Sequence, residues 1–409
     1  MILNQISLLD CAAFLIILAP QLLIHVGLVE TAMCGLKALP FLRKPYNSHS
    51  RPHHSVLTPP AVIQMPYEFI NERYLTYNSG QSPWVRHATP FQDIVIRCVR
   101  YAFAFIPATI GKVFFSKNVA LPFFHFRKLR HGYWNSTIHW EEITRPELKG
   151  LWLIADAAKK PDIVVYYAHG GGFSMGSSYF YIEFLLAWVT LLRDAGYANP
   201  AIFALEYTLV PERTFPHQVQ ETAVGYEFVL GKIADSSRIV VSGDSAGATL
   251  ILSLLLSISE KPKQRLKLPG LGIIISPWSV VLSPKNRNTA SDYLNADSLR
   301  LYGSQYIGEK GDNEDPLVSP GMCTDLGRWK RASPSRGWMF VYGKEEVFAP
   351  STKELVGTLK RAETEVVTHE EPGWIHAWPV VKLFLGNGQD ERQSGLRSMV
   401  KFIKGRIDV

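Results

Sequence analysis

From about position 151 onward the chain alternates two kinds of apolar pattern. Six short runs are apolar at nearly every position: "DIVVYYAH" (162–169), "AIFALEY" (201–207), "RIVVSG" (238–243), "LGIIIS" (271–276), "GWMFVYG" (337–343) and "TEVVTH" (364–369). They lack the polar alternation of a half-solvated strand and suit strands buried on both faces of a parallel sheet. Longer stretches of helical period lie between them: "YIEFLLAWVTLLRDAG" (181–196), "HQVQETAVGYEFVLGKI" (217–233) and "STKELVGTLKRA" (351–362), the last with Ser351 as its expected N-cap. Buried strands alternating with helices predict an α/β fold, a doubly wound, mostly parallel sheet over 151–409 with helices on both faces.

The first third reads differently. Residues 45–150 are rich in Pro, His and aromatics without a clean strand–helix alternation, and are expected to form a cap or lid. Ahead of them, "CAAFLIILAPQLLIHVGLV" (11–29) is a 19-residue, mostly apolar stretch bounded by Asp10 and Glu30. That matches the ~20 residues needed to cross a bilayer core. Residues 1–9 hold no Lys or Arg, unlike the basic start of a cleaved signal peptide. The expectation is an uncleaved single-pass anchor over 8–30, with a buried or interfacial helix as the alternative. Its orientation is contested: Lys37, Arg43 and Lys44 after the span favour a cytosolic bulk. Against this, "NST" at Asn135 is a glycosylation acceptor that matters only in a lumenal domain.

Composition narrows the classes. With 409 residues, 47% of them hydrophobic, the chain can bury a large single core. Its net charge of +7 is carried partly by "RKLRH" (127–131), "KPKQRLK" (261–267) and "RWKR" (328–331), all in turn-like contexts. Clusters of this kind suit solvated loops or attraction to an anionic membrane, and not the basic helix or stripe of a nucleic-acid binder. Cys11, Cys34, Cys98 and Cys323 show neither zinc-ligand nor disulfide-scaffold spacing, leaving room for one bridge between Cys98 and Cys323. No metal or cofactor is expected.

The chemistry concentrates in "RIVVSGDSAGATLILSLLL" (238–256). A buried strand meets a helix at Gly243-Asp244-Ser245-Ala246-Gly247, a G-x-S-x-G turn whose small residues make room for a sharp bend and an exposed Ser245 hydroxyl. Upstream, "AHGGGF" (168–173) follows a strand of its own. Its glycines leave N–H groups open, so Gly171, Gly172 and Ala246 are the candidate oxyanion hole. A serine needs an adjacent base, and in this kind of fold the chain order is Ser, acid, His. Glu346 in "KEEVF" and His376 in "EEPGWIHAW" lie in successive loops after strands, with Glu345 and His369 as rivals. His376 would take the Ser245 proton, and Glu346 would orient and stabilise the imidazolium.

These residues, together with "EYTLVPERTFPHQVQE" (206–221), "ISPW" (275–278) and "DPLVSP" (315–320), resemble the hormone-sensitive-lipase-like branch of the α/β-hydrolases. That branch includes arylacetamide deacetylases, sterol acetyl hydrolases and many microbial carboxylesterases; the likeness covers about 165–385. It implies the same catalytic residues and oxyanion hole, and an N-terminal cap over an acyl-ester site. The branch's usual D-Y-R-L-A-P-E stands here as "EYTLVPE", and its usual triad Asp as Glu346. The expected activity is hydrolysis of acetyl or other short acyl esters of hydrophobic alcohols, such as sterols or secondary metabolites, by a single-pass protein of the endoplasmic reticulum. The alternatives are a lipase or amidase using the same triad, and a non-catalytic ligand-binding homologue. The partners expected are a small lipophilic ester and a membrane, with no nucleic acid; the sequence leaves the oligomeric state open.

Overall fold

The computed structural model describes residues 2–38, 64–136, 138–260, 266–309 and 311–409. Strands β1 (His139–Arg145), β2 (Leu148–Ile154), β3 (Ile163–Ala168), β4 (Pro200–Leu205), β5 (Ile239–Asp244), β6 (Leu271–Ile275), β7 (Trp338–Gly343) and β8 (Val366–Glu371) form one sheet in the order β1-β2-β4-β3-β5-β6-β7-β8. Pairings β1–β2 and β2–β4 are antiparallel, and those from β4 through β8 are parallel. Every residue of β3, β4, β5, β6 and β7 is buried, which is why these runs carry no polar alternation.

The helices α1 (Leu8–His25), α2 (Leu28–Ala38), α3 (Gln64–Ile70), α4 (Pro83–His87), α5 (Pro90–Phe105), α6 (Ala108–Phe115) and α7 (Lys117–Arg130) precede the sheet. Within and after it come α8 (Ile182–Asp194), α9 (His217–Lys232), α10 (Ala246–Glu260), α11 (Ala296–Ile307), α12 (Leu326–Ala332), α13 (Ala349–Arg361), α14 (Trp378–Leu385) and α15 (Gln389–Lys404). Alternate strand residues separate two apolar cores. Val164, Tyr166 and Ala168 join the core of α9, α10 and α13, while Ile163, Val165 and Tyr167 join that of α8, α14 and α15. The sheet is therefore covered on both faces, as the doubly wound pattern requires.

Several expectations change. The boundary expected at 150/151 falls inside β2, because the hairpin β1–β2 extends the sheet into the region read as cap. Its register pairs Arg145 with Leu148 around a two-residue turn, and β1 is an edge strand exposed at most positions, so its apolar signal is weak. Ser351 does not cap α13: the helix begins at Ala349 with Pro350 in its first turn, where a fixed φ suits the helix, and the Ser351 hydroxyl donates to the Phe348 carbonyl at 3.0 Å. Cys98 and Cys323 are free thiols. The apolar stretch over 8–30 breaks at Gly27, whose φ is +93°, into α1 and α2. Residues 45–63 of the expected cap and 261–265 of the basic run lie outside the described residues.

Candidate active site

β5 ends at Asp244 and α10 starts at Ala246, so one residue makes the whole turn. Ser245 takes a φ of +52°, a left-handed conformation that costs a side-chain-bearing residue about 1–3 kcal/mol and persists only where packing imposes it. The packing is tight: a Cβ on Gly247 would sit 2.1 Å from the Ala168 carbonyl oxygen, and one on Gly243 would sit 2.7 Å from the Gly247 carbonyl carbon. Only glycine lets α10 come this close to β3. The Ser245 N–H donates to the Ile275 carbonyl at 3.0 Å, fastening the turn to the end of β6.

The glycine loop after β3 is held by the same turn. Asp244 is 2% exposed, and its carboxylate accepts from the Tyr167 hydroxyl at 2.6 Å, the Tyr181 hydroxyl at 2.7 Å and the Gly170 N–H at 2.8 Å. Burial still holds its pKa up at about 6 against those three donors. His169 is sealed between Tyr207 and Tyr181, and burial lowers it to about 4, so it is neutral and its Nδ1–H donates to Gly170 O at 2.7 Å. Gly171 and Gly172 follow with φ of +118° and +62°, and a Cβ on Gly171 would lie 2.1 Å from the Met175 carbonyl oxygen. Among the described residues the N–H groups of Gly171, Gly172 and Ala246 donate no hydrogen bond. Three unused amides beside a strained serine can receive a negative oxygen.

Glu346 and His376 are 2% and 3% exposed, on the loops after β7 and β8. The Ser276 hydroxyl joins them, donating to Glu346 Oε2 at 2.6 Å and accepting from the Ala377 N–H at 2.9 Å. Ser276 follows Ile275, the residue that holds the Ser245 amide, so one short segment ties together the serine turn and both loops. The Gly343 N–H also donates to Glu346 Oε2, at 3.0 Å. His376 Nδ1 lies 3.9 Å from that same oxygen, long for a hydrogen bond, and both Nδ1 and Glu346 Oε1 are buried without a partner. Burial lowers the imidazole to about 3 and holds the Glu346 carboxyl well above its ordinary range, opposed by its two donors. Both shifts disfavour charge in the resting site. The imidazole is therefore the neutral free base in the resting site.

Two residues with a part in this geometry escaped the sequence reading. One is Ser276, inside a run read as strand. The other is Asp292, 1% exposed on the loop after β6. Its Oδ1 accepts from the His376 N–H at 3.1 Å and its Oδ2 from the Val347 N–H at 2.8 Å, so one carboxylate fixes the backbone beside both base and acid. Nothing in its local sequence signals this; only the fold brings the loops together. Of the rivals, His369 is held by Ser398 and Glu371 at 2.9 Å each, and Glu345 is half-buried where Glu346 is sealed. Asn135 is exposed beyond α7; Thr137 of its sequon lies outside the described residues. Among those residues no group of three or more His, Cys, Asp or Glu is placed to hold a metal ion.

A serine on a strand-to-helix turn, with an acid and a histidine following from later strand ends, defines an α/β-hydrolase-type site. The model of the alpha/beta hydrolase fold family matches residues 165–380, and the chain belongs to that family. It is 28% identical over 227 residues to an acetyl-hydrolase of Streptomyces hygroscopicus, covering 54% of this chain and 70% of the relative. It is 27% identical over 239 residues to a Schizosaccharomyces pombe protein named as a steryl acetyl hydrolase, covering 54% of this chain and 61% of the relative. The crystal structure of an esterase of the bacterial hormone-sensitive lipase family superposes with a TM-score of 0.61 at 22% identity, covering 78% of this chain and 99% of that one. A hormone-sensitive-lipase homologue from a metagenome library gives 0.56 at 22% identity, covering 67% and 88%. These two likenesses carry the fold.

Proposed function

We propose that this protein is a serine carboxylesterase that removes acetyl or similarly short acyl groups from hydrophobic alcohols such as sterols or secondary metabolites. The observation that carries the reading is the Ser276 junction. Its hydroxyl bonds both the Glu346 carboxylate and the amide next to His376, while the preceding carbonyl holds the amide of Ser245. The acetyl-hydrolase and steryl acetyl hydrolase relatives support the acyl group and the alcohol class.

In the reaction Ser245 Oγ attacks the ester carbonyl carbon while its proton passes to His376. Glu346 stabilises the imidazolium, and the oxyanion rests on the N–H groups of Gly171, Gly172 and Ala246. Collapse breaks the carbon–alkoxide bond, and His376 returns the proton to the departing alcohol. Water, deprotonated by His376, then attacks the acyl-enzyme carbonyl and releases the acid and Ser245. No cofactor takes part.

The reading includes attachment to a membrane, of the endoplasmic reticulum, where a lipophilic ester would partition. Asn135 is exposed, as a glycan acceptor must be. Hydrolysis of p-nitrophenyl acetate by the purified chain tests the chemistry. Ser245→Ala should lower kcat by ~10⁴–10⁶-fold and abolish labelling by a fluorophosphonate. Equal turnover by both proteins, or a folded wild-type chain that takes no label, would remove the serine from the mechanism.

A further inference from the structure

Helix α1 carries its polarity inside out. Its one charged residue, Asp10, is fully buried, 3.1 Å from Arg127 Nη1 and 2.6 Å from Arg130 Nη2. The same side buries Leu18 and packs Phe14 on Phe114 and Phe123, with ring centroids 4.6 and 5.0 Å apart. Every exposed position from 8 to 24 is apolar; Leu8, Leu15, Ile16 and Ile24 are exposed by 76, 61, 74 and 69%. Beyond the exposed His25, Leu28, Val29 and Met33 of α2 are exposed as well, beside the exposed Glu30. The helix is ~27 Å long, and its exposed side chains from Leu8 to Ile24 carry no hydrogen-bonding group; the exposed His25 ends the strip.

A single crossing does not fit. It would put the residues before α1 on one side of a membrane and those from 64 onward on the other. Both belong to one body: Leu3 is buried, the Ile6 N–H donates to Phe384 O at 3.0 Å, the Gln5 amide to Leu385 O at 2.6 Å and Arg127 to Asn4 O at 2.6 Å. At the far end, Leu22 and Val26 pack on the cluster of Val113 and Val119. The helix lies along α6 and α7 from end to end.

We infer that α1 is a monotopic membrane contact, lying in the plane of one leaflet with its outward strip among the acyl chains of an anionic bilayer. The occupant is argued from chemistry. Protein partners meet a patch with aromatic anchors and a polar rim, whereas this strip is purely aliphatic. Arg130, exposed beside the start of the helix, complements anionic headgroups. Trp134, four residues past Arg130, is 79% exposed, and Trp suits the headgroup level.

The consequence for the site rests on the serine-hydrolase reading. α6, against which α1 packs, brings Gly111 so close to Met175 that a Cβ would lie 2.8 Å from its sulfur, and the Met175 N–H donates to Gly171 O at 3.0 Å. The leaflet is thus one helix away from the candidate oxyanion loop. That is a short route for a lipophilic ester.

Flotation of the full chain with phosphatidylcholine vesicles, with and without phosphatidylserine, tests the contact. The wild type should float, more with phosphatidylserine. L15D/I16D should lose at least ~10-fold in partitioning while keeping p-nitrophenyl acetate turnover as a check of folding. Tags at both termini in microsomes should be accessible from the same side, a readout that needs no variant. Tags on opposite sides would establish a crossing and overturn the inference. Failure to float would overturn it too, and a concentration-dependent dimer abolished by L15D/I16D would assign the strip to a second copy. An inactive chain that still floats would sink the esterase reading and leave this one standing.

Discussion

His376 shows how burial tunes a base. Sealed from water, the imidazole is pulled from 6.5 to about 3, so it stays neutral where an ordinary histidine would be half charged. The shift has a cost in stability that can be measured. As pH falls from 6.5 to 5, the unfolded chain takes up a proton at this position and the folded chain does not, so the folded state loses ground by ~1.4 kcal/mol per pH unit. A chain without the group escapes that loss. The stability deficit of His376→Ala relative to wild type should therefore shrink by about 2 kcal/mol between pH 6.5 and pH 5. Urea unfolding of both proteins at the two pH values reads it directly; an unchanged deficit would mean the folded imidazole titrates normally. The raised carboxyl of Glu346 acts with the opposite sign, but it is present in both proteins.

At the scale of elements, the loops of the proposed acid and base are positioned by a third loop, the one after β6. Asp292 holds the amides of Val347 and His376, and Arg100 of α5 holds that loop in turn through the carbonyls of Asp292, Ala290 and Ser291 at 2.9, 2.9 and 2.8 Å. Helix α5 therefore braces the loop that holds the candidate site. Asp292→Asn replaces one acceptor oxygen with an amide that must face a backbone N–H. Both loops should loosen, with kcat for p-nitrophenyl acetate down ~10- to 100-fold and KM nearly unchanged, because the group acts on alignment and touches no substrate. Unaltered kcat would reduce Asp292 to a packing role. This bracing could not be read from the chain, since its partners lie 55 and 84 residues away. The strands were legible for the opposite reason. β3 to β7 are buried along their whole length, and their apolar runs announce it, while the half-exposed edge strand β1 left no such mark. The same holds within the site. The serine turn and glycine loop are local motifs whose small residues are forced by close approach, so both were visible, whereas Ser276 looks like any strand end.

At the scale of the whole molecule, the monotopic arrangement inferred for α1 departs from the single-pass anchor that the sequence suggests. A mostly apolar 19-residue stretch reads as a span because composition records only the amount of hydrocarbon, not which face is already taken. The placement of Asp10 against Arg127 and Arg130, with the bonds of Gln5 and Ile6 to α14, marks a helix docked along a body. Arg127 and Arg392 also bond the carbonyls of Asn4 and Leu3, with Glu183 as their shared acid. A chain beginning at residue 64 would leave both buried guanidiniums short of partners. It should be less stable than the full chain by at least about 3 kcal/mol, seen as an earlier urea midpoint; matching midpoints would show the first segment to be dispensable.

The bond from Arg392 to the carbonyl of Leu3 joins residues 389 positions apart. During synthesis Leu3 must wait for this partner until almost the whole polypeptide has left the ribosome. Its neighbours are served sooner, since Val113, Val119, Arg127 and Arg130, against which the first helix lies, are made long before. The beginning of the chain is thus pinned in two stages, first by early helices and last by the C-terminal one.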